Sequence, residues 1–564
     1  MIEDIRDIMA AGPYVSMKDM LERVAAYFKD TPALQEIRDG QVVTYTFSQI
    51  FSDVEALGEA LIEMGLEGKH IAISADNSYR FVVSYLSICG GVGVAVPVDK
   101  DAPEQNFSLL LAKCDAEALI CSAHMLKKAE YAKETCPLLK TVIVIEGEAE
   151  GYPSCDKLIE RGRKLAEKGY YHNKKLDMDA TAAIFFTSGT TGANKGVMRS
   201  QINLNANIMN CIEHMKGDSP LVSLLPMNHA AINNDIVSRL AVGKLTCING
   251  SIKDLMANLQ IFKPKMLSAV PMFAEMIYRG VWQGAEKQGK AEALKQAVQM
   301  SNGLLAKGVD KRSEIFHDVL APFGGIESIG LGGAPISPEL VQGMHDIGVD
   351  LITGYGVTEC GPLISMNSDT INDPFSTGQI VPHTEVMIDE PDEEGIGEIL
   401  ARGPSIMKGY YKDEEATKAV LSEDGWFRTG DYGKLDGGKL FLKGRKKNLI
   451  LLSNGKNVTP EEIEYLISIT IPYIRESVVY AADTNVRGNM TTFITAAIYT
   501  DMPDGGDLKD KLMKDFKLVN DQLPQYKKVR CLQISNAEFE KNAMRKIVRD
   551  SVVSRHDTEN GILI

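Results

Sequence analysis

Ile184-Phe185-Phe186-Thr187-Ser188-Gly189-Thr190-Thr191-Gly192-Ala193-Asn194-Lys195-Gly196 is the stretch on which the reading of this chain turns. Its opening apolar triplet predicts a buried strand. A tight run of hydroxyls and glycines follows, closed by a single lysine. Glycines let backbone N–H groups approach oxygen atoms, hydroxyls donate hydrogen bonds, and lysine supplies a mobile point charge. That combination suits a polyphosphate. It is not a Walker loop, which counted from Gly189 needs glycine at 194 and serine or threonine at 196, where this chain has Asn194 and Gly196.

Working outward, apolar β-rich runs alternate with helical patterns through the first 400 or so residues. His70–Ser74, Val92–Val98, Ala118–Cys121 and Thr141–Glu146 read as strands, and Phe81–Cys89 as a helix. This alternation predicts α/β layers with largely parallel sheet. Phe81 to Val98 carries no charge, but Gly90, Gly91, Gly93 and Pro97 interrupt it. It reads as a buried helix turning into a buried strand, not as a membrane span. Near residue 435 the texture changes. Asp436-Gly437-Gly438 marks a hairpin turn, and the basic run Lys443-Gly444-Arg445-Lys446-Lys447 follows. Thr459-Pro460-Glu461-Glu462 then opens a helix, with Thr459 as N-cap, Pro460 in first position and Glu462 closing a capping box. The remainder has the size of a small α+β unit.

At 564 residues the chain is long enough for three or four modules. Hydrophobic residues at 44% and charged residues at 24% exclude a disordered or fibrous chain. The formal net charge of −15 disfavours nucleic acid and anionic membrane as partners. Nine scattered cysteines without a Cys-x-x-Cys pair indicate neither a zinc site nor a disulfide framework, and read as buried small hydrophobes. Met1 to Met20 lacks a signal-peptide core. Neither His-Glu-x-x-His nor Gly-x-Ser-x-Gly occurs, so zinc hydrolysis and serine hydrolysis have no support. A cytoplasmic enzyme is the expectation.

Further segments agree with the hydroxyl loop. In chain order they are Gly332-Gly333-Ala334-Pro335, Gly354-Tyr355-Gly356-Val357-Thr358-Glu359, Gly397-Glu398-Ile399 and Met407-Lys408-Gly409-Tyr410. After these come Gly425-Trp426-Phe427-Arg428-Thr429-Gly430-Asp431 and Gly444-Arg445-Lys446-Lys447. With them the chain resembles the acyl-adenylate-forming (AMP-binding) superfamily of acyl-CoA synthetases, peptide-synthetase adenylation domains and luciferases. Its texture is closest to bacterial long-chain fatty-acid–CoA ligases. Asn194 departs from the family's proline. Near the C-terminus, Phe539 to Arg549 resembles the family's terminal lysine motif and aligns Lys546 with that lysine. Here Asn542, Met544 and Arg545 depart from the common pattern.

The resemblance implies a large multi-layer α/β domain over residues 1–445 with mostly parallel sheets. A small α+β C-terminal domain over 446–564 would rotate about a hinge at Lys447. It implies ATP and Mg²⁺ as cofactors and coenzyme A as acyl acceptor. Thr187, Ser188, Gly189, Thr190, Thr191, Gly192 and Lys195 would hold phosphates. Gly333, Ala334, Pro335, Gly354, Tyr355, Gly356 and Thr358 would border the nucleotide, with Tyr355 offering a ring for adenine. A carboxylate such as Asp431 can accept both ribose hydroxyls, and Arg445 would help hold the ribose. Glu359 is the candidate Mg²⁺ anchor, because a hard cation that bridges phosphates wants an oxygen ligand. Thr187, Glu359 and Lys546 are the candidate catalytic residues. His229, at the end of Leu225-Pro226-Met227-Asn228-His229, would border the acyl group together with Gly332 and Val357. Lys443, Arg445, Lys446, Lys527, Lys528 and Arg530 are candidate cations for coenzyme A.

The expected reaction is activation of a carboxylic acid, in the first place a fatty acid, to an acyl-adenylate, followed by acyl transfer to the thiol of coenzyme A. Two alternatives stay open: loading of a carrier protein's phosphopantetheine, and a non-catalytic nucleotide or acyl sensor. Self-association is also left open.

Overall fold

The computed structural model describes residues 7–10, 12–187, 194–212, 220–332, 336–367, 373, 376–451, 457–486, 489–502, 506–541, 547–558 and 561–564. Its two large sheets are parallel at heart. A 7-stranded sheet runs in the order Gly409–Tyr410, Lys195–Ser200, Thr181–Thr187, Val94–Pro97, His70–Ser74, Ala118–Cys121, Thr141–Val144. From Thr181–Thr187 onward the neighbours are parallel, and the first two strands are antiparallel additions. Val94–Pro97 and Ala118–Cys121 are buried at every residue, which is why they read as unbroken apolar runs.

The second sheet is 13-stranded. Pro32–Arg38, Thr246–Ile248, Leu221–Ser223, Met266–Ala269, Ser328–Leu331 and Asp350–Tyr355 form its parallel part. Gln41–Thr46 adds antiparallel to Pro32–Arg38 at one edge, and at the other an antiparallel wing continues through Ser365–Met366, Gln379–Ile380, Lys439–Arg445, Phe427–Asp436, Gly397–Arg402 and Glu385–Asp389. The predicted hairpin is in this wing. Asp436 pairs with Lys439, and Gly437 and Gly438 take φ of 56° and 78°, the left-handed pair that a two-residue turn needs.

The C-terminal residues build a separate 4-stranded sheet from Ile474–Val486, Asn489–Thr500, Cys531–Ser535 and Ile562–Leu563. Helices Pro460–Thr470 and Gly506–Asp521 accompany it. Ile463, Ile467, Leu512, Phe516, Ile498 and Leu532 share a core whose described members all lie at Ile450 or beyond. The cores of the two large sheets include no described residue beyond Leu442.

One local expectation holds with shifted ends, and another fails in part. The uncharged stretch gives a helix over Tyr79–Ser87, begun by Ser78, whose hydroxyl accepts from Phe81 N, and then a tight turn at Ile88–Val92. Phe81 to Val92 and Val94 to Val98 are buried within the α/β core. Thr459 and Pro460 do open a helix, but the capping box does not form. The Thr459 side chain makes no capping bond. Glu462 is drawn to the Lys527 ammonium at 2.6 Å, and Glu461 accepts from Asn448 Nδ2 at 2.6 Å.

All nine cysteines are buried. Burial pushes the thiols of Cys114, Cys121, Cys155 and Cys247 up to about 12. Since the thiolate is the reactive form, the native protein should consume almost no thiol reagent at neutral pH. All nine thiols should react after denaturation. Rapid native labelling of any one of them would contradict this placement.

Candidate active site

The strands Thr181–Thr187 and Lys195–Ser200 pair with Thr187 opposite Lys195, so the two ends of the hydroxyl loop face each other. Ser188, Gly189, Thr190, Thr191 and Gly192 lie outside the described residues, as do Gly333, Ala334, Pro335 and Lys546. The Met407-to-Tyr410 segment is laid along the outer side of this hairpin. Lys408 N donates to Met198 O at 3.0 Å and Tyr411 N to Gly196 O at 2.7 Å. This puts the Lys195 ammonium 4.7 Å from the centre of the Tyr410 ring, a cation–π distance. On its other side Tyr410 Oη donates to Glu359 Oε1 at 2.9 Å, and Met407 N donates to Glu359 O at 2.8 Å. Burial beside the Glu359 charge holds the Tyr410 phenol far above its ordinary range, so it stays a donor.

Strand Asp350–Tyr355 delivers the Gly-Tyr-Gly-Val-Thr-Glu segment into a short turn, Thr358–Cys360. A Cβ at Gly356 would sit 1.7 Å from Pro362 O, so only glycine lets the chain fold back here. Gly332 follows the neighbouring strand, where a Cβ would make an ordinary contact with Gly354 O at 3.8 Å. Val357 packs on the core beside Tyr355. The Tyr355 ring is itself 7% exposed, and its hydroxyl donates to Asp431 Oδ2 at 2.9 Å. Asp431 Oδ1 meets Arg445 Nε at 3.1 Å, from the facing position of the hairpin. Asp431 is 3% exposed, and its backbone N–H donates to Thr429 Oγ1 at 3.1 Å. The described residues thus bring together Thr187, Lys195, Tyr410 and Glu359 in one group, and Tyr355, Asp431 and Arg445 in another. Strand Asp350–Tyr355 and its turn connect the two.

Glu359 is half-buried. Among the described residues no cluster of three or more His, Cys, Asp or Glu is placed to hold a metal. One half-buried carboxylate near the two ends of the hydroxyl loop fits Mg²⁺, which keeps waters and takes one or two carboxylates plus substrate phosphates.

Some residues that brace these segments carried no flag in the sequence. Arg199 is buried to 1%. Its Nη1 donates to Thr358 O at 2.9 Å, and its Nη2 to Asn203 O at 3.2 Å and Gly361 O at 3.4 Å. It therefore fastens the hairpin strand to the Glu359 turn. Burial brings its pKa down to about 10, which leaves it charged at neutral pH. An arginine at the end of the β-rich run Gly196-Val197-Met198-Arg199 was the available signal. Asn77 fixes the Leu225–His229 segment by accepting from Met227 N and donating to Leu225 O, both at 2.9 Å. His229 occupies the N-cap of helix Ala230–Ala241 without a side-chain capping bond.

At the basic run, strand Lys439–Arg445 ends and the turn Lys446–Asn448 begins, with Lys447 exposed. Buried Glu398 gathers Arg428 Nη1 at 2.6 Å and Lys446 Nζ at 2.8 Å. Lys446 and Lys527 are therefore already paired with carboxylates. Arg549, from the terminal motif, docks on Glu464 at 2.7 Å and on Val479 O.

The sequence model of AMP-binding enzymes matches residues 21–411. The chain belongs to the AMP-binding enzyme family. Among its relatives, the peroxisomal long chain acyl-CoA synthetase 6 of Arabidopsis thaliana is 28% identical over 490 residues, 80% of this chain and 69% of that protein. Long-chain-fatty-acid–CoA ligase FadD15 of Mycobacterium tuberculosis is 28% identical over 530 residues, 88% of this chain and 85% of that one. The fold of this AMP-binding enzyme is that of o-succinylbenzoate coenzyme A synthetase of Bacillus subtilis solved with ATP and magnesium. The TM-score is 0.70 at 21% identity, covering 95% of this chain and 99% of that one. The same Bacillus protein has been solved with its acyl-adenylate intermediate. No helix among the described residues of this AMP-binding enzyme is long and apolar enough to cross a membrane.

Proposed function

We propose that this enzyme is an AMP-forming acyl-CoA ligase for a carboxylic acid of the fatty-acid class. The observation that carries the reading is the convergence, through backbone bonds and one tyrosine, of the hydroxyl-loop ends with Glu359. A carboxylate is a poor acyl electrophile and must first become a mixed anhydride with AMP. Its oxygen attacks the α-phosphorus of ATP and pyrophosphate leaves, a step that needs positioning and charge neutralisation more than a protein nucleophile. Thr187, the loop that follows it and Lys195 hold the phosphates, and Gly333, Ala334, Pro335 and Thr358 are assigned to the nucleotide from their motifs. Asp431 and Arg445 hold the ribose, and Tyr355 borders the base. Glu359 would hold Mg²⁺, which neutralises phosphate charge when bound. Lys546 steadies the charge between carboxylate and α-phosphate. The thiolate of coenzyme A then attacks the acyl carbon and AMP departs.

The separate cores support a joint between residues 1–445 and 446–564, with Lys447 in the turn about which the smaller part reorients between the half-reactions.

Incubation with ATP, Mg²⁺, fatty acids and either coenzyme A or an acyl-carrier protein tests the reading. Pyrophosphate and free acyl-CoA are the expected products. Carrier loading without acyl-CoA would move the assignment to a carrier ligase, and silence despite ATP binding to a sensor. Glu359→Gln retains an acceptor for Tyr410 but removes the charge. It should raise the Mg²⁺ concentration for half-maximal pyrophosphate release by about 10- to 100-fold, as losing even an indirect partner of a metal ligand does. An unchanged Mg²⁺ titration would remove Glu359 from this role.

A further inference from the structure

Helix Glu104–Lys113 lies against the downstream end of the hydroxyl loop. Its Phe107 and Leu111 are buried in the same core as Ile184, with Phe186 packed against it, so the helix and strand Thr181–Thr187 share one apolar support. Asn106 and Lys113 are seven residues apart, two turns of helix, and project from one face. Both reach the same residue. The Lys113 ammonium donates to Asn194 O, and Asn194 Nδ2 donates to Asn106 Oδ1 at 3.4 Å.

The end of this helix is itself held. Cys114 O lies 2.6 Å from His70 Nδ1, and Asp115 Oδ2 accepts from Tyr411 Oη at 2.6 Å and pairs with Lys412. Tyr411 N donates in turn to Gly196 O. The helix end is thereby tied to the residues on either side of Lys195, directly to Asn194 and through Tyr411 to Gly196. Asn194 O and Lys195 N belong to one planar peptide unit. Fixing that carbonyl fixes the point from which the Lys195 side chain sets out towards the Tyr410 ring. Asparagine does not restrict its own φ as a proline ring would, so restraint at this position comes from outside.

We propose, resting on the reading above that the hydroxyl loop holds the phosphates of ATP, that Lys113 and Asn106 are positioning residues for ATP. They fix the Asn194 end of the loop so that Lys195 is in place when the phosphates arrive. They act through Asn194 and do not contact the nucleotide. A site already arranged binds more tightly, because the apparent Kd rises as the binding-competent fraction falls.

Calorimetric titration of the full chain with ATP and Mg²⁺ tests this, with AMP as the companion ligand. Lys113→Met keeps the stem but removes the donor, and should weaken ATP binding by about tenfold. Asn106→Ala should weaken it by about threefold, whereas Asn106→Asp keeps an acceptor for Asn194 Nδ2 and should restore most of the affinity. The two losses should combine to less than their product, because both act on one residue. AMP lacks the departing pyrophosphate, so its affinity should fall far less, and the melting temperature without nucleotide should hold. If Lys113→Met does not fold, the two Asn106 variants decide. Unchanged ATP affinity in both single variants, or equal losses for ATP and AMP, would overturn the proposal and leave the ligase reading standing. So would a loss confined to Lys113→Met, which would put that ammonium on the phosphates themselves. Wild-type protein that binds ATP but releases no pyrophosphate with any acid would end the ligase reading alone, the variant affinities still deciding the role of Lys113 and Asn106. Wild-type protein that binds no ATP would overturn both.

Discussion

Lys546→Ala should lower pyrophosphate release by about 10²- to 10³-fold, the usual loss when one preorganised charge donor at a transition state is removed. Thioester formation from preformed acyl-adenylate and coenzyme A should stay close to wild type. The asymmetry arises because the α-phosphorus gains negative charge at its oxygens only in the first half-reaction. In the second, AMP is already a competent leaving group and the attacking group is a thiolate. The described residues on either side of Lys546 are well anchored. Lys541 bridges to Ile547, Val548 N donates to Glu540 O at 2.8 Å, and Arg549 is locked onto Glu464. The substitution should therefore read out the lysine charge without loosening the small sheet. Equal losses in both half-reactions would argue against a small domain that presents Lys546 in one step and withdraws it in the other.

Asp431→Ala carries two separable effects. The carboxylate is buried, accepts from Tyr355 Oη and faces Arg445. Removing it leaves the Tyr355 hydroxyl buried without that acceptor, a cost of about 1–3 kcal/mol. That cost should appear as a lower unfolding midpoint even without nucleotide. If Asp431 accepts the ribose hydroxyls as proposed, the same change removes that charged acceptor, and KM for ATP should rise by about tenfold or more. Asp431→Asn separates the two, because its amide oxygen still accepts from Tyr355 while the charge is gone. Its stability should largely return and its KM for ATP should stay high. Combining Asp431→Ala with Tyr355→Phe should likewise recover part of the stability, because no orphaned hydroxyl remains. A wild-type KM for ATP in Asp431→Ala would end the ribose assignment.

What the sequence revealed follows a physical divide. Parallel strands buried on both faces, such as Val94–Pro97 and Ala118–Cys121, betray themselves as apolar runs. The Gly437-Gly438 turn betrays itself because few other residues take that backbone. Motif positions such as Thr187, Lys195, Glu359 and Asp431 were readable as a set because their order along the chain is itself informative. What stayed hidden depends on contacts between distant segments. Nothing near Arg199 in the sequence says that its guanidinium will reach the carbonyls of Thr358 and Gly361. Nothing near Asn77 says that it will fix Leu225 and Met227. The capping box failed for the same reason. Local spacing favoured Glu462 as a cap, but Lys527, sixty-five residues on, offered a full opposite charge.

The break between Leu442 and Ile450 in the packing of apolar side chains has a further consequence. A part that holds its own core can turn as a body without any of that core meeting water. The free energy separating its orientations is then set by surface contacts, such as the Tyr465 hydroxyl on Glu339. Single hydrogen bonds of this kind contribute about 0.5–1.5 kcal/mol each, a quantity that one bound ligand can outweigh by preferring one orientation. No dedicated effector is then needed to order the chemistry. Nucleotide, adenylate and thiol, arriving and leaving in turn, can each select the arrangement that the next bond requires.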